Sequence, residues 1–285
     1  MAINSILNNT LSNTAQKFLG INTQRVGQSI ERISLGIRVN KAAEDIAGLA
    51  VSDALRSDIR VLRQGARNTN DGISLINVVE GALNEQTGAV IRLRELASQG
   101  ASGTIRTFER QAINLEISSL VAEIDRIAAT TEFNGRTLLD GSLAQSVQVS
   151  EQTFIQIGIN SQSESRLNLN VELDLSASNS TQLGINNLSV STSEDAQTAL
   201  DDIAAALETL NFSRGRTGAL QNRFSKALGT IAVSIENLTA ADSTIRDADI
   251  AEELAVLTRN QINAKAAVTM VGQTNLAGQN LLDIL

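Results

Sequence analysis

Four carboxylates crowd into the stretch Asp247, Asp249, Glu252 and Glu253, and carboxylates at that density could in principle hold a divalent cation. The stretch lacks the glycine-bearing turn and alternating oxygen ligands of a calcium loop, and an acidic run is ordinarily a solvated helix face. Gly215-Arg216-Thr217-Gly218 sets two glycines in a polar stretch, but no Lys-Ser or Lys-Thr follows at phosphate-loop spacing. The chain has no His and no Cys, which removes the usual base of a serine triad, the thiolate nucleophile and the commonest metal ligand. A Ser–Lys arrangement stays open chemically, yet no pair points to one. Carboxylate pairs such as Glu252 and Glu253 would need a pocket to do acid–base work, and helical rods offer grooves instead. No catalytic residue, cofactor or metal is expected.

The elements that would position any site are helices. Apolar residues recur at steps of three and four in Val26, Ile30, Ile33, Ile37 and again in Val51, Leu55, Ile59, Leu62, so each run lines one helix face. These stripes are narrow, close to a heptad seam, and call for a partner helix more than for a broad core. The partner lies at the other end of the chain. Leu200, Ile203, Leu207, Leu210 and then Phe224, Leu228, Ile231, Ile235, Leu238 share one register; after a slip at 242–249, Ile250, Leu254, Leu257, Ala264, Val268, Val271, Leu282 and Leu285 form a second.

Composition agrees. A chain of 285 residues has no Pro, and its six aromatic residues are all Phe, so nothing forces a helix to stop and the core should be thin and aliphatic. A net charge of −8 gives no basic face for nucleic acid or for an anionic membrane. Only four of the 23 basic residues are Lys, a bias toward Arg that suits charges paired in fixed geometry at interfaces. The N-terminus lacks the basic start and apolar run of a secretory signal, and no window is apolar for long enough to span a bilayer.

In the middle the period changes. Ile113, Ile117, Leu120, Ile124 and Ile127 form a clean seam, whereas Leu167, Leu169, Val171, Leu173 and Leu175 alternate with polar residues, as do Val147, Val149 and Ile155, Ile157, Ile159. Alternation is the strand signature, and Asn160 to Arg166 would close a hairpin. Asn70-Asp71-Gly72 is the expected weak point of the long helix.

SIERISLGIRVNKAAEDIAGLAVSDALRSDI, RNTNDGISLINVVEGALNE and IRLRELASQ resemble, in order and spacing, the N-terminal region of bacterial flagellins; LQNRFSKALGTIAVSIENLTAADSTIRDADIAEE and NLAGQNLLDIL resemble their C-terminal region. The resemblance covers nearly the whole chain. It implies a mainly α fold, with long antiparallel helices in a coiled-coil-like rod bundle and a small β-hairpin element. The expected division is 1–43 and 246–285 as the two halves of an inner coiled-coil domain, around a rod domain at 44–245 with helices 44–99, 105–129 and 194–240 and a β element at 145–176. Almost nothing is inserted where longer flagellins carry variable outer domains.

The function so implied is structural: a subunit exported uncleaved through the flagellum's type III channel, polymerising with itself into the swimming filament. The implied partners are an export chaperone and the junction and cap proteins, with no nucleic acid and no membrane insertion. Ile250, Leu254, Leu257, Val268, Val271, Leu282 and Leu285 are the expected assembly seam, and both ends should be disordered in the monomer. Arg92 and Leu96, with Glu116 on the following helix, match the patch by which many flagellins engage the flagellin-sensing Toll-like receptor. A hook–filament junction protein would share the paired ends but carry a different middle; a soluble coiled-coil binding module would explain the heptads but not the collinear motifs.

Overall fold

The computed structural model describes residues 9–282, with side chains through Leu276. Four long helices carry the chain: α1 (Thr10–Leu35), α2 (Ile46–Ala101), α5 (Ser193–Arg246) and α6 (Ile250–Leu282). Between α2 and α5 come α3 (Thr107–Thr130), the short strands β1 (Glu132–Phe133), β2 (Arg136–Thr137), β3 (Phe154–Gln156) and β4 (Arg166–Asn168), and the single turn α4 (Leu169–Leu173). The chain divides into two compact units, residues 1–57 with 237–285 and residues 58–236.

In the first unit α1 packs on α6. The pairing is antiparallel: Asn9 Nδ2 donates to Thr274 O (3.1 Å), Ser12 Oγ to Asn275 Oδ1 (2.8 Å) and Asn260 Nδ2 to Ser29 Oγ (3.4 Å). Gly36, at φ 69°, ends α1 in the left-handed conformation, where its N–H returns to Arg32 O. The segment after it is tied down by charge. Lys41 Nζ lies 2.8 Å from Glu31 Oε2, Arg32 Nη2 lies 3.1 Å from Glu44 Oε1, and the Asn40 N–H donates to Glu44 Oε2 at 3.0 Å. These contacts hold the Glu31 carboxyl below its usual pKa, chiefly through Lys41, and that of Glu44 too, chiefly through the Asn40 N–H.

The second unit has the thicker core. Leu62, Thr69, Ile76, Leu83, Val90 and Ala97 are buried at intervals of seven along α2, and so are Gly65, Gly72, Val79, Gln86, Leu93 and Gly100, a two-position heptad seam. Ile113, Ile117 and Ile124 of α3 and Ile203, Leu210, Leu220 and Phe224 of α5 close over it. Arg110, buried on α3, donates to Gly100 O and, at 3.0 Å, to Ser102 O, which satisfies carbonyls at the end of α2.

Three expectations are corrected here. Asn70-Asp71-Gly72 does not break α2: a Cβ on Gly72 would sit 2.5 Å from Ile155 Cδ1 and 3.0 Å from the Phe224 ring, so this glycine is a notch for packing. Val147 and Val149 lie in turns outside any strand. Finally, β3 does pair antiparallel with β4, but the alternating run 167–175 leaves the sheet after Asn168 and coils into α4. Asn170 is the physical reason. It is fully buried, donates Nδ2 to Ser142 O (2.8 Å) and Ala144 O (3.0 Å), and accepts from Thr153 N at 2.8 Å. Those three bonds need the side chain inside, and the turn of helix puts it there while keeping Leu169 and Leu173 in the core.

Two features were not anticipated. Asn134 and Gly135 both have positive φ (53° and 76°) and close the tight β1–β2 hairpin, as Asn-Gly does in two-residue loops. The Ser-, Asn- and Thr-rich stretch before α5 is packed: Leu183, Ile185 and Val190 are buried, and Asp125 of α3 receives both Ser180 N (2.7 Å) and Ser180 Oγ (2.8 Å).

Candidate assembly and recognition surfaces

The acidic run at the end of the chain is used locally. Asp249 caps α6, accepting from Ala251 N at 2.8 Å and Glu252 N at 3.2 Å. Asp247 accepts from Ser243 Oγ at 2.6 Å, and Glu253 approaches Arg32 at 4.0 Å. No cluster able to hold a metal ion occurs among the described residues. Gly215 and Gly218 lie inside α5, where no loop exists to cradle a phosphate. Among the described residues, no helix is long and apolar enough to cross a membrane.

Along α1 the residues turned inward are Ser12, Ala15, Leu19, Asn22, Val26, Ser29 and Ile33; along α6 they are Glu253, Leu257, Asn260, Ala264, Ala267, Val271 and Thr274. The steps are again three and four, but the seam follows the apolar register only in part, through Val26, Ile33, Leu257, Ala264 and Val271, and elsewhere falls one residue beside it. Ser12 is buried beside Leu11, which is 61% exposed; Ser29 is buried beside Ile30; Ala267 is buried beside Val268, which is 55% exposed. Small and polar side chains thus share the inside with Leu19, Val26, Ile33, Leu257 and Val271, while Leu11, Ile30, Leu254 and Val268 face out.

The seven seam residues expected on α6 therefore separate. Leu257 and Val271 turn toward α1, whereas Ile250, Leu254 and Val268 are exposed. The Leu282 side chain and all of Leu285 lie outside the described residues. Exposed Ile262, Met270 and Leu276 escaped a reading that followed one stripe; plotting every large apolar residue by helical angle would have found them.

The second surface lies on the second unit. Arg92 of α2 donates Nε and Nη2 to Glu116 Oε1 of α3 (3.0 and 2.8 Å) and Nη1 to Glu95 Oε2 (2.9 Å). All three side chains remain about half exposed. Leu96 does not join them: it is 2% exposed and belongs to the core. The apolar neighbours at the surface are Ile91 and Leu115, the latter 71% exposed.

Residues 6–144 match the model of the bacterial flagellin N-terminal helical region, and residues 200–285 match that of the C-terminal helical region. A flagellar filament 30.7 kDa core protein of Treponema maltophilum is 38% identical, over 98% of this chain and 99% of that one. The chain belongs to the bacterial flagellins. A flagellin of Halalkalibacterium halodurans is 39% identical over 98% of this chain and 99% of that one. A solved structure of a putative flagellar hook-associated protein from Vibrio parahaemolyticus, 13% identical, shares the fold, with a TM-score of 0.53 over 72% of this chain and 98% of that one. As a flagellin, the chain is a structural subunit of the extracellular flagellar filament and not an enzyme, and its length is that of the short core proteins.

Proposed function

We propose that residues 1–43 and 246–285 of this flagellin form the inner coiled-coil element of the filament, around a rod domain at 44–245, and that Ile250, Leu254 and Val268 are the side chains α6 presents to neighbouring subunits. The observation that carries this is the apolar surface that α6 leaves uncovered beside its seam. A helix that buries Ala267 and leaves Val268 exposed has its larger apolar surface still to bury, and exposed apolar surface of this kind marks an interface. Leu257 and Val271 serve the same assembly indirectly, by pairing α6 with α1. Such a surface needs cover before export, which is the physical basis for a chaperone partner; junction and cap proteins would meet it at the filament's ends.

The test is the triple variant Ile250→Ser, Leu254→Ser, Val268→Ser. Each side chain, if fully buried in the filament, contributes roughly 1.5–3 kcal/mol there. The variant is expected to leave the monomer's thermal unfolding unchanged and to raise the critical concentration at least a hundredfold in seeded polymerisation. Normal elongation would contradict the assignment.

A second reading rests on the Arg92–Glu116 pair, which fixes a half-exposed guanidinium between two helices, with exposed Leu115 next to Glu116 in the chain. Arg next to an apolar anchor is the composition of an interface hot spot. We propose this patch for contact with the Toll-like receptor, with Leu96 supporting it from beneath. Arg92→Ala and Glu116→Ala monomers are expected to lose at least tenfold in receptor signalling at unchanged stability. Full signalling by both variants would remove the reading.

A further inference from the structure

Within the second unit, α2, the β1–β2 hairpin and the β3–β4 pair enclose a groove of about 320 Å³. Leu75, Phe133, Phe154, Ile155 and Leu169 make its wall apolar, and Asp71 stands at its edge. Asp71 makes no hydrogen bond or ion pair among the described residues, and neither does the Arg106 side chain, which ends the connection from α2 to α3. Next to Arg106, in the first turn of α3, Phe108 is 80% exposed, the most exposed of the large apolar side chains among the described residues. An open apolar slot with an unpaired carboxylate thus exists on the same unit as a projecting ring with an unpaired guanidinium.

The two features cannot meet within one subunit. Asp71 lies some 30 residues before the end of α2, which at 1.5 Å per residue is roughly 45 Å of helix, and Arg106 and Phe108 follow that end directly. A contact between two different patches, one at each end of a unit, is heterologous, and when its rotation does not close it builds an open filament instead of a dimer. That is the contact a helical homopolymer needs.

We infer that the occupant of the groove is a second copy of this chain: Phe108 of one subunit enters the slot of the next, and Arg106 pairs with Asp71 at its rim. The buried Thr153 hydroxyl, which lines the slot without a partner among the described residues, is left to receive a polar group of the incoming turn. The contact is separate from the terminal helices and rests on the assembly reading given above.

The absence of cysteine makes the test clean. Filaments of the double variant Asp71→Cys, Arg106→Cys, mildly oxidised, are expected to give a ladder of covalent dimers, trimers and higher chains on a non-reducing gel, while either single variant gives monomer. Filaments that form without a ladder overturn the contact. Should the double variant fail to polymerise, charge exchange decides: Asp71→Arg and Arg106→Asp are each expected to raise the critical concentration at least tenfold and their combination to restore it, and no restoration overturns the pairing. If the unaltered chain forms no filaments at all, the assembly reading fails, a result distinct from filaments that lack the cross-link.

Discussion

The α1–α6 pair and the bundle of α2, α3 and α5 use the same three-and-four spacing and fill it differently. In the bundle, Ile76, Val79, Leu83, Val90, Leu93 and Phe224 are fully buried. In the terminal pair, Leu19, Val26, Ile33, Leu257 and Val271 are only partly buried and share the seam with Ser12, Asn22, Ser29, Asn260, Ala264 and Ala267. Burial of apolar area is worth about 25 cal/mol per Å², so the first arrangement offsets the entropy of ordering its helices and the second does so only weakly. A helix pair with so thin a seam has apolar surface left to bury, and on the assembly proposal above its neighbours in the filament supply the cover.

The largest effects expected from single substitutions lie in the bundle. Leu83→Ala should cost about 2–5 kcal/mol, because truncation leaves a cavity the surrounding helices cannot close. In the terminal pair, Val26→Ala should cost about 1 kcal/mol or less, since its site is already partly open to water, and Ser29→Ala less again. Chemical denaturation followed by a probe in each unit measures all three. Equal costs in the two units would erase the comparison.

A smaller effect is expected from pH. Glu31 and Glu44 have folded-state pKa values below the ordinary one, through Lys41 and Asn40 for the first and the Asn40 N–H for the second. Each therefore adds stability above its unfolded pKa of about 4.3, and loses it as pH falls through the lower folded value. Lys41, raised by Glu31, holds its share until pH rises above about 10.4. Amide exchange of residues 37–45 should thus be slow across neutral pH, after correction for intrinsic rates, and quicken below about pH 4. Unchanged protection in acid would show that the charged tie after α1 contributes nothing.

Much of this architecture was legible because a heptad repeat writes itself into the sequence: the seam Ile113, Ile117, Ile124 and the break between Arg246 and Ile250 stand where spacing puts them. What escaped was set by contacts between distant residues. Gly72 looks like a turn until the Ile155 and Phe224 side chains are seen against it. Leu167 to Leu175 alternates as a strand would, and only the three partners of Asn170 show that it turns back into a helix. The Asn134-Gly135 hairpin was missed although its signal is local, because the pair also reads as the end of the preceding helix. Arg92 and Glu116 were identified by motif, but that they meet, and that Leu96 is buried in the core, follows from how α3 folds back on α2. The register of the terminal seam was read only in part: Leu257 and Val271 lie on it, but Ser29 and Ala267 take inward positions beside exposed Ile30 and Val268, and small or polar seam residues leave no apolar signal.

The central claim, that the terminal pair is completed by assembly, is tested most directly by hydrogen exchange of dilute monomer and of filament, resolved to segments. The account predicts that amides of α1 and α6 exchange at least a hundredfold faster than those of residues 76–97 in the monomer, and become equally protected in the filament. Protection of α1 and α6 in dilute monomer equal to that of the bundle would contradict it.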